Sequence, residues 1–275
     1  MSNPILIGTD FSASSQPAFT LAKQLARKLT CPLHIAHTFI PPFVDPNTPV
    51  SIVDALHEQN QAIFKGKLDE WVTEAQSEGI EAKAHLIFSD VPTGLSEKAE
   101  EIGAQLIIIG KTGEGGLLNW LIGSNAVSLL NTSKTPLLMV PGAYQPQAVH
   151  RLVYATQLEY DETEILKQVK SLQGALEASI HFIKLDVEGQ PNIQPDYGYE
   201  KTIKLLFDQP VSHVNADHVV EGLHQQVQQL QGQILITASH HRNFITQLIE
   251  PSITKKIINV SEVPVLVYRF QESNI

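Results

Sequence analysis

The chain holds 275 residues, 43% of them hydrophobic and 17% charged, with a net charge of −10 at pH 7. That length fits two domains of roughly 140 residues each, and the apolar content supplies packed cores rather than disorder. The acidic balance excludes general affinity for nucleic acid or an anionic membrane, because both require a basic surface to neutralise phosphates.

The first half alternates strands and helices. Ile5 to Thr9 reads as a short buried strand, and the polar turn Asp10-Phe-Ser-Ala-Ser leads into a helix to about Leu29, with Ala18, Leu21, Ala22, Leu25 and Ala26 at helical spacing. Pro32 to Phe39 is the second strand. A Pro-rich loop follows, then a long helical stretch over about Ser51 to Glu78 and a strand over Ala82 to Phe88. Pro92 sits where it can open a helix that runs to about Ile102. Leu106 to Gly110 and Pro136 to Val140 are the last two strands, separated by a helix after Ser124. The βαβαβαβαβ order predicts an α/β fold, a doubly wound parallel sheet of five strands with helices on both faces.

The second half repeats that order with decay, through strands at Arg151–Thr156, Ala178–Asp186, Val211–Val214, Ile234–Thr237 and Val265–Tyr268. Helices fall over Asp161–Leu172, Glu200–Phe207, Asp217–Leu230 and Ser252–Val260. Adding 128 to the residue number lays Leu106–Gly110 on Ile234–Ala238, Gly123-Ser124 on Pro251-Ser252, and Pro136–Val140 on Pro264–Tyr268. The chain therefore reads as an internal duplication. Its linker is expected over Pro141 to His150, and its domains over residues 1–145 and 146–275.

The motif with the most chemistry is Gly110-Lys-Thr-Gly113, followed after nine intervening residues by Gly123-Ser124. A buried strand that runs into spaced glycines and a Ser-started helix brings backbone amides up to phosphates. Gly110 and Gly113 permit a sharp turn and close approach of a ligand, and the helix through Asn125 and Ala126 offers unpaired N–H groups and the positive end of its dipole. A P-loop is excluded because its first glycine would fall at Gln105. A Rossmann fingerprint from Gly113 is excluded because its last glycine would be Leu118.

These residues resemble the universal stress protein family, whose nucleotide-binding members carry G-x2-G-x9-G-(S/T) after the fourth strand. Ile5-Leu-Ile-Gly-Thr-Asp10 looks like that family's first strand and its adenine-contacting aspartate. The resemblance spans the chain as a tandem pair. It implies adenine and ribose contacts from Gly8, Thr9, Asp10 and the region of Thr38. It also implies phosphate contacts from Gly110, Gly113, Gly123, Ser124 and the amides of Asn125 and Ala126, with Ile109 just in front. The implied ligand is ATP, or AMP or ADP, with Mg2+ on the phosphates, and the implied role is regulation during stress through a protein partner. Family members commonly pair through the last strand, so the two halves are expected to pair internally through Pro136–Val140 and Pro264–Tyr268. Further association into a homodimer is left open.

The second half carries Gln157, Ala238, His241 and Pro251 where the first has Asp10, Gly110, Gly113 and Gly123, so one nucleotide site per chain is expected. His241, Arg242, Ser252 and Lys255 could hold a different small anion there. Adjacent His240 and His241 lack partners at metal-ligand spacing, and no metal site is expected. Trp71 and Trp120 read as packing residues. No nucleophile and base are placed together, so any ATP hydrolysis should be slow. The rival reading is an interaction module that binds no nucleotide and works by dimerisation. The single cysteine, Cys31, and the lack of a signal-like start or a membrane-length apolar run lead to the expectation of a cytoplasmic protein.

Overall fold

The computed structural model describes residues 2–41, 45, 49–111, 124–187, 197–240 and 261–270. Strand β1 (Ile5–Gly8) is buried along its whole length, and a 3-10 turn (Ala13–Ser15) leads into α1 (Gln16–Leu29). Pro17 lies in the first turn of α1, and Thr30 ends the helix in the left-handed region at φ 50°. There follow β2 (Leu33–Thr38), α2 (Val50–Ser77), β3 (Ala82–Ile87) and α3 (Val91–Ile102). Asp90 caps α3 by accepting from the Thr93 amide at 3.0 Å, Pro92 lies in its first turn, and Gly103 ends it at φ 62°. β4 (Leu106–Lys111), α4 (Ser124–Thr132) and β5 (Leu137–Pro141) complete the first half.

The second half contains β6 (Arg151–Ala155), α5 (Thr163–Leu176), β7 (Ser179–Val187), α6 (Tyr197–Phe207), β8 (Val211–Ala216), α7 (Val219–Gln229), β9 (Ile234–His240) and β10 (Val265–Phe270). The helix expected over 252–260 lies outside the described residues.

Ten strands form one sheet in the order β3-β2-β1-β4-β5-β10-β9-β6-β7-β8. Each half is parallel within itself and has the same internal order, and the halves meet where β5 runs antiparallel to β10. Leu138 faces Leu266 across this seam, between Met139–Val265 and Leu137–Val267. The expected internal pairing is present, and it leaves β3 and β8 as the outer edges.

Helices cover both faces. One apolar cluster, with Ile5, Ile7, Phe19, Leu68, Trp71, Tyr154, Leu166 and Ile203, runs under α1, α2, α5 and α6 without a break at the seam. Trp71 stacks on Phe19 at 4.1 Å, as a packing residue should. The other cluster, with Leu6, Leu95, Ile107, Leu129, Leu223 and Val265, lies under α3, α4 and α7.

The segment expected as a linker is fastened down. Tyr144 and Val149 are buried, the Gln233 amide donates to the Ala148 carbonyl at 2.7 Å, and its oxygen accepts from the amides of His150 and Arg151 at 2.6 and 3.0 Å. Gly142, Pro146 and the lack of apolar periodicity marked the segment in the sequence, and hydrogen bonds from the Gln233 side chain just before β9 hold it.

Beside the β3 edge, His85 and His34 share a 2.8 Å hydrogen bond between Nε2 and Nδ1. Burial pushes the His85 imidazole down to about 4, with His34 and Lys98 adding to the effect, and burial and Lys83 lower His34 as well. The unfolded chain therefore binds more protons than the folded one between about pH 4 and the ordinary histidine value. This contribution to stability is complete above that value and is lost as pH falls through the window. Denaturant melts from pH 7 to pH 4.5 should show stability falling, with a smaller fall in His85→Gln. At the seam, Leu138→Asp should cost about 3 kcal/mol or more in a thermal or urea melt, because it buries a charge between paired strands.

Candidate functional site

In both halves the strand order reverses direction next to the first strand. In the first half, β1 leads to α1 on one face of the sheet and β4 leads to α4 on the other. The carboxyl ends of β1 and β4 therefore open onto a crevice, the position where open parallel sheets hold ligands.

The turn after β1 is built by Thr9. Its amide extends the ladder to the Ala36 carbonyl at 2.9 Å, while its hydroxyl accepts from the Phe11 amide at 2.9 Å and donates to Ser15 Oγ at 3.2 Å. Phe11 takes φ 60°, in the left-handed region, so the chain reverses in two residues. Asp10 is exposed, and its Oδ1 accepts from the Ser12 amide at 2.9 Å and the Ser12 hydroxyl at 2.6 Å. Its Oδ2 has no hydrogen-bond partner among the described residues.

Below the turn lies His37, near the end of β2, with Nδ1–H donating to the Thr9 carbonyl at 2.8 Å. The ring lies between Phe11 at 4.9 Å and Phe64 at 4.3 Å. Burial lowers its pKa, so the imidazole is neutral at pH 7 and works as a prop under the turn. Thr38 follows, half-buried at the strand end.

Gly110 meets the turn from β4. A Cβ there would stand 2.9 Å from the Ser14 carbonyl oxygen and 3.0 Å from Ser15 Cα, which are backbone contacts that cannot swing away. The absent side chain thus admits the 3-10 turn, a different reason from the ligand approach expected of this glycine. At Gly8 a Cβ would come within 2.6 Å of Leu95 Cδ1, the end of a side chain rather than backbone. Ile109 is buried in β4 beside it.

Ser124 opens α4, whose N-terminus lies at the same sheet edge because the helix runs back between two parallel strands. Asn125 is exposed there, and Ala126 packs against the core under α3 and α4. Gly113 and Gly123 lie outside the described residues.

The second half keeps the turn but not its surroundings. Thr156 bonds the Ile183 carbonyl through its amide at 3.0 Å and accepts from the Leu158 amide at 3.0 Å, and Leu158 takes φ 59°. Where the first half has Ser15, this half has Glu162, buried and accepting from the hydroxyls of Tyr154 at 2.6 Å and Tyr199 at 2.9 Å. Burial, with the Glu162 charge adding to it, raises both tyrosines, so they stay protonated as donors. Ala238 replaces Gly110, and no 3-10 turn forms between Leu158 and Glu162. At the edge of β7 and β8 a cleft is lined by Asp186, which pairs with Lys184, and by Asp217, His218 and Glu221. His241, Arg242, Ser252 and Lys255 lie outside the described residues.

Gly8, Thr9, Asp10, Thr38, Ile109, Gly110, Asn125 and Ala126 thus lie along one edge of the first half. Sequence reasoning missed His37 and Ser15. A histidine at an inward position of the strand Leu33-His-Ile-Ala-His-Thr38 was the available signal for the first, while nothing local distinguished Ser15 from its serine neighbours.

Two five-stranded halves of one sheet, each of order 3-2-1-4-5 with a crevice beside its first strand, define a tandem α/β protein of the Rossmann-like class. The model of the universal stress protein family matches residues 1–141 and again 149–269, and the chain belongs to that family as a tandem member. A universal stress protein of Mycolicibacterium smegmatis is 23% identical over 96% of both chains. The crystal structure of a universal stress protein from Archaeoglobus fulgidus DSM 4304 shares the fold at a TM-score of 0.71, with 18% identity over 98% of this chain and 99% of its own. A universal stress protein crystallised with cAMP is 25% identical, covers 51% of this chain and 97% of its own, and has a TM-score of 0.40. Among the described residues no helix is long and apolar enough to cross a membrane.

The contact at Gly110 can be checked without ligand. Gly110→Ala should destabilise the nucleotide-free protein by about 1–3 kcal/mol in a urea melt, because the methyl meets backbone. Ala238→Gly, in the matching strand, should cost only about 0.5–1 kcal/mol.

Proposed function

We propose that the chain is a regulatory protein that binds one adenine nucleotide, ATP or its AMP and ADP relatives, in the first half alone. The observation that carries this is Asp10, exposed at the switch-point crevice with one carboxylate oxygen held by Ser12 and the other without a partner among the described residues. A carboxylate so placed accepts from an adenine amino group or a ribose hydroxyl. Gly8, Thr9 and Thr38 flank it, and Ile109 and Gly110 end the neighbouring strand. The phosphates would lie toward Gly113, Gly123, Ser124 and the amides of Asn125 and Ala126, where the N-terminus of α4 favours negative charge.

Among the described residues no cluster of three His, Cys, Asp or Glu is placed to hold a metal. In this account magnesium arrives on the phosphates, and hydrolysis is slow at most. The domains are 1–145, with the site, and 146–275, where Glu162 and its two tyrosines stand in the core beside the matching turn. Occupancy would order the glycine segment and alter a surface read by a protein partner during stress in the cytoplasm.

Because the close approach of Ser14 and Ser15 already accounts for Gly110, the test rests on other residues. Titration calorimetry with ATP should give about one site per chain, weakened at least about tenfold by Asp10→Ala through loss of a charge-assisted hydrogen bond. Gly113→Val should abolish binding. A wild-type chain that takes up no adenine nucleotide would leave the interaction-module reading in its place.

A further inference from the structure

Helix α4 has only nine residues, Ser124–Thr132, too few to keep helical order without outside holds. Its middle is fixed by buried Leu129, with Ala126, Val127 and Leu130 packed against the same core. Its two ends face different partners. The amino end lies at the first-half crevice, on the side proposed for the phosphates, and the carboxyl end reaches β10 of the second half. There the Ser133 amide donates to the Leu129 carbonyl at 2.9 Å, and the carbonyl of buried Ser133 accepts from Arg269 Nη1 at 3.1 Å.

Arg269 follows Val265 and Val267 along β10 at the strand period of two, and those valines lie in the same apolar cluster as Leu129, so all three share the sheet face that α4 covers. Burial lowers its pKa, yet a guanidinium keeps its charge at any working pH. Among the described residues no carboxylate pairs with it, so its charge faces the negative end of the α4 dipole uncancelled. Lys134, at the same helix end, is by contrast tied to Glu100 at 3.3 Å. The shift of 128 that relates the halves puts Pro141 at the place of Arg269, so β5 returns no such donor to the second half. The cation is supplied to the helix of the half that keeps the glycine motif.

We propose that Arg269 is a positioning residue for the nucleotide site, a second-half side chain that keeps α4 wound so that its first amides are set for phosphates. The proposal rests on the nucleotide reading above. Ten residues at about 1.5 Å each put the guanidinium about 15 Å from the Ser124 end, beyond the screening length of about 8 Å, so it acts through helical order rather than by direct attraction. Fraying from the carboxyl end lowers the fraction of molecules with a competent amino end, and apparent affinity falls by that fraction. A ligand without phosphates uses the Asp10 edge alone and is indifferent to α4.

Amide exchange and titration calorimetry on the full chain test this. In the nucleotide-free protein Arg269→Gln should speed exchange over Ser128 to Ser133 at least about threefold and leave the turn from Thr9 to Ser15 unchanged. ATP should bind about threefold to tenfold more weakly, adenosine as it does to the wild type, and Arg269→Lys should restore most of the ATP affinity. An unchanged ATP affinity in Arg269→Gln, an unchanged α4 exchange, or a loss shared equally by ATP and adenosine would overturn the positioning role and leave the nucleotide reading standing. A wild-type chain that takes up neither ligand would overturn both.

Discussion

The approach of Ser14 and Ser15 to Gly110 is the constraint on which the first half's edge depends. With a Cβ 2.9 Å from a carbonyl oxygen excluded, the 3-10 turn settles directly on β4. The turn then brings Ser15 Oγ to Thr9 and to the Ser12 carbonyl, and Thr9 fixes the reversal at Phe11. His37, neutral and buried, supports the same carbonyl framework from below. Asp10 is left outside, held by one oxygen. The room left at Gly110 thus lets Ser15 join the hydrogen bonds around the turn that carries the exposed carboxylate on which the functional proposal rests.

The second half shows what happens when that constraint is lifted. Its Thr156 and Leu158 repeat the turn, so the backbone reversal does not depend on the glycine. What changes is the filling. Ala238 occupies the room, and Glu162 with Tyr154 and Tyr199 forms a satisfied buried polar cluster. A buried carboxylate with two hydroxyl donors is stable without a ligand, and removal of either donor would cost it a hydrogen bond. The two halves have therefore diverged in their edges while keeping one sheet, one seam and a continuous core.

The alternation of elements and the duplication were legible because helix and strand periods are local, and Pro92 marks the start of α3 in the sequence itself. The seam was expected from the family resemblance, applied to the repeated strands Pro136–Val140 and Pro264–Tyr268, although their register, Leu138 on Leu266, is a property of packing. The residues proposed for a site at the first edge were chosen from a sequence pattern. The reason for Gly110 was not legible, because it depends on a backbone segment almost a hundred residues away.

Amide hydrogen exchange of the whole chain with and without ATP tests the central claim, a single site built by the first half, most directly. Slowed exchange confined to the turn from Thr9 to Ser15, the end of β4 and the start of α4, with no change at Thr156 to Glu162 or in β9, is the predicted result. Equal slowing in both halves, or slowing at neither edge, would contradict it.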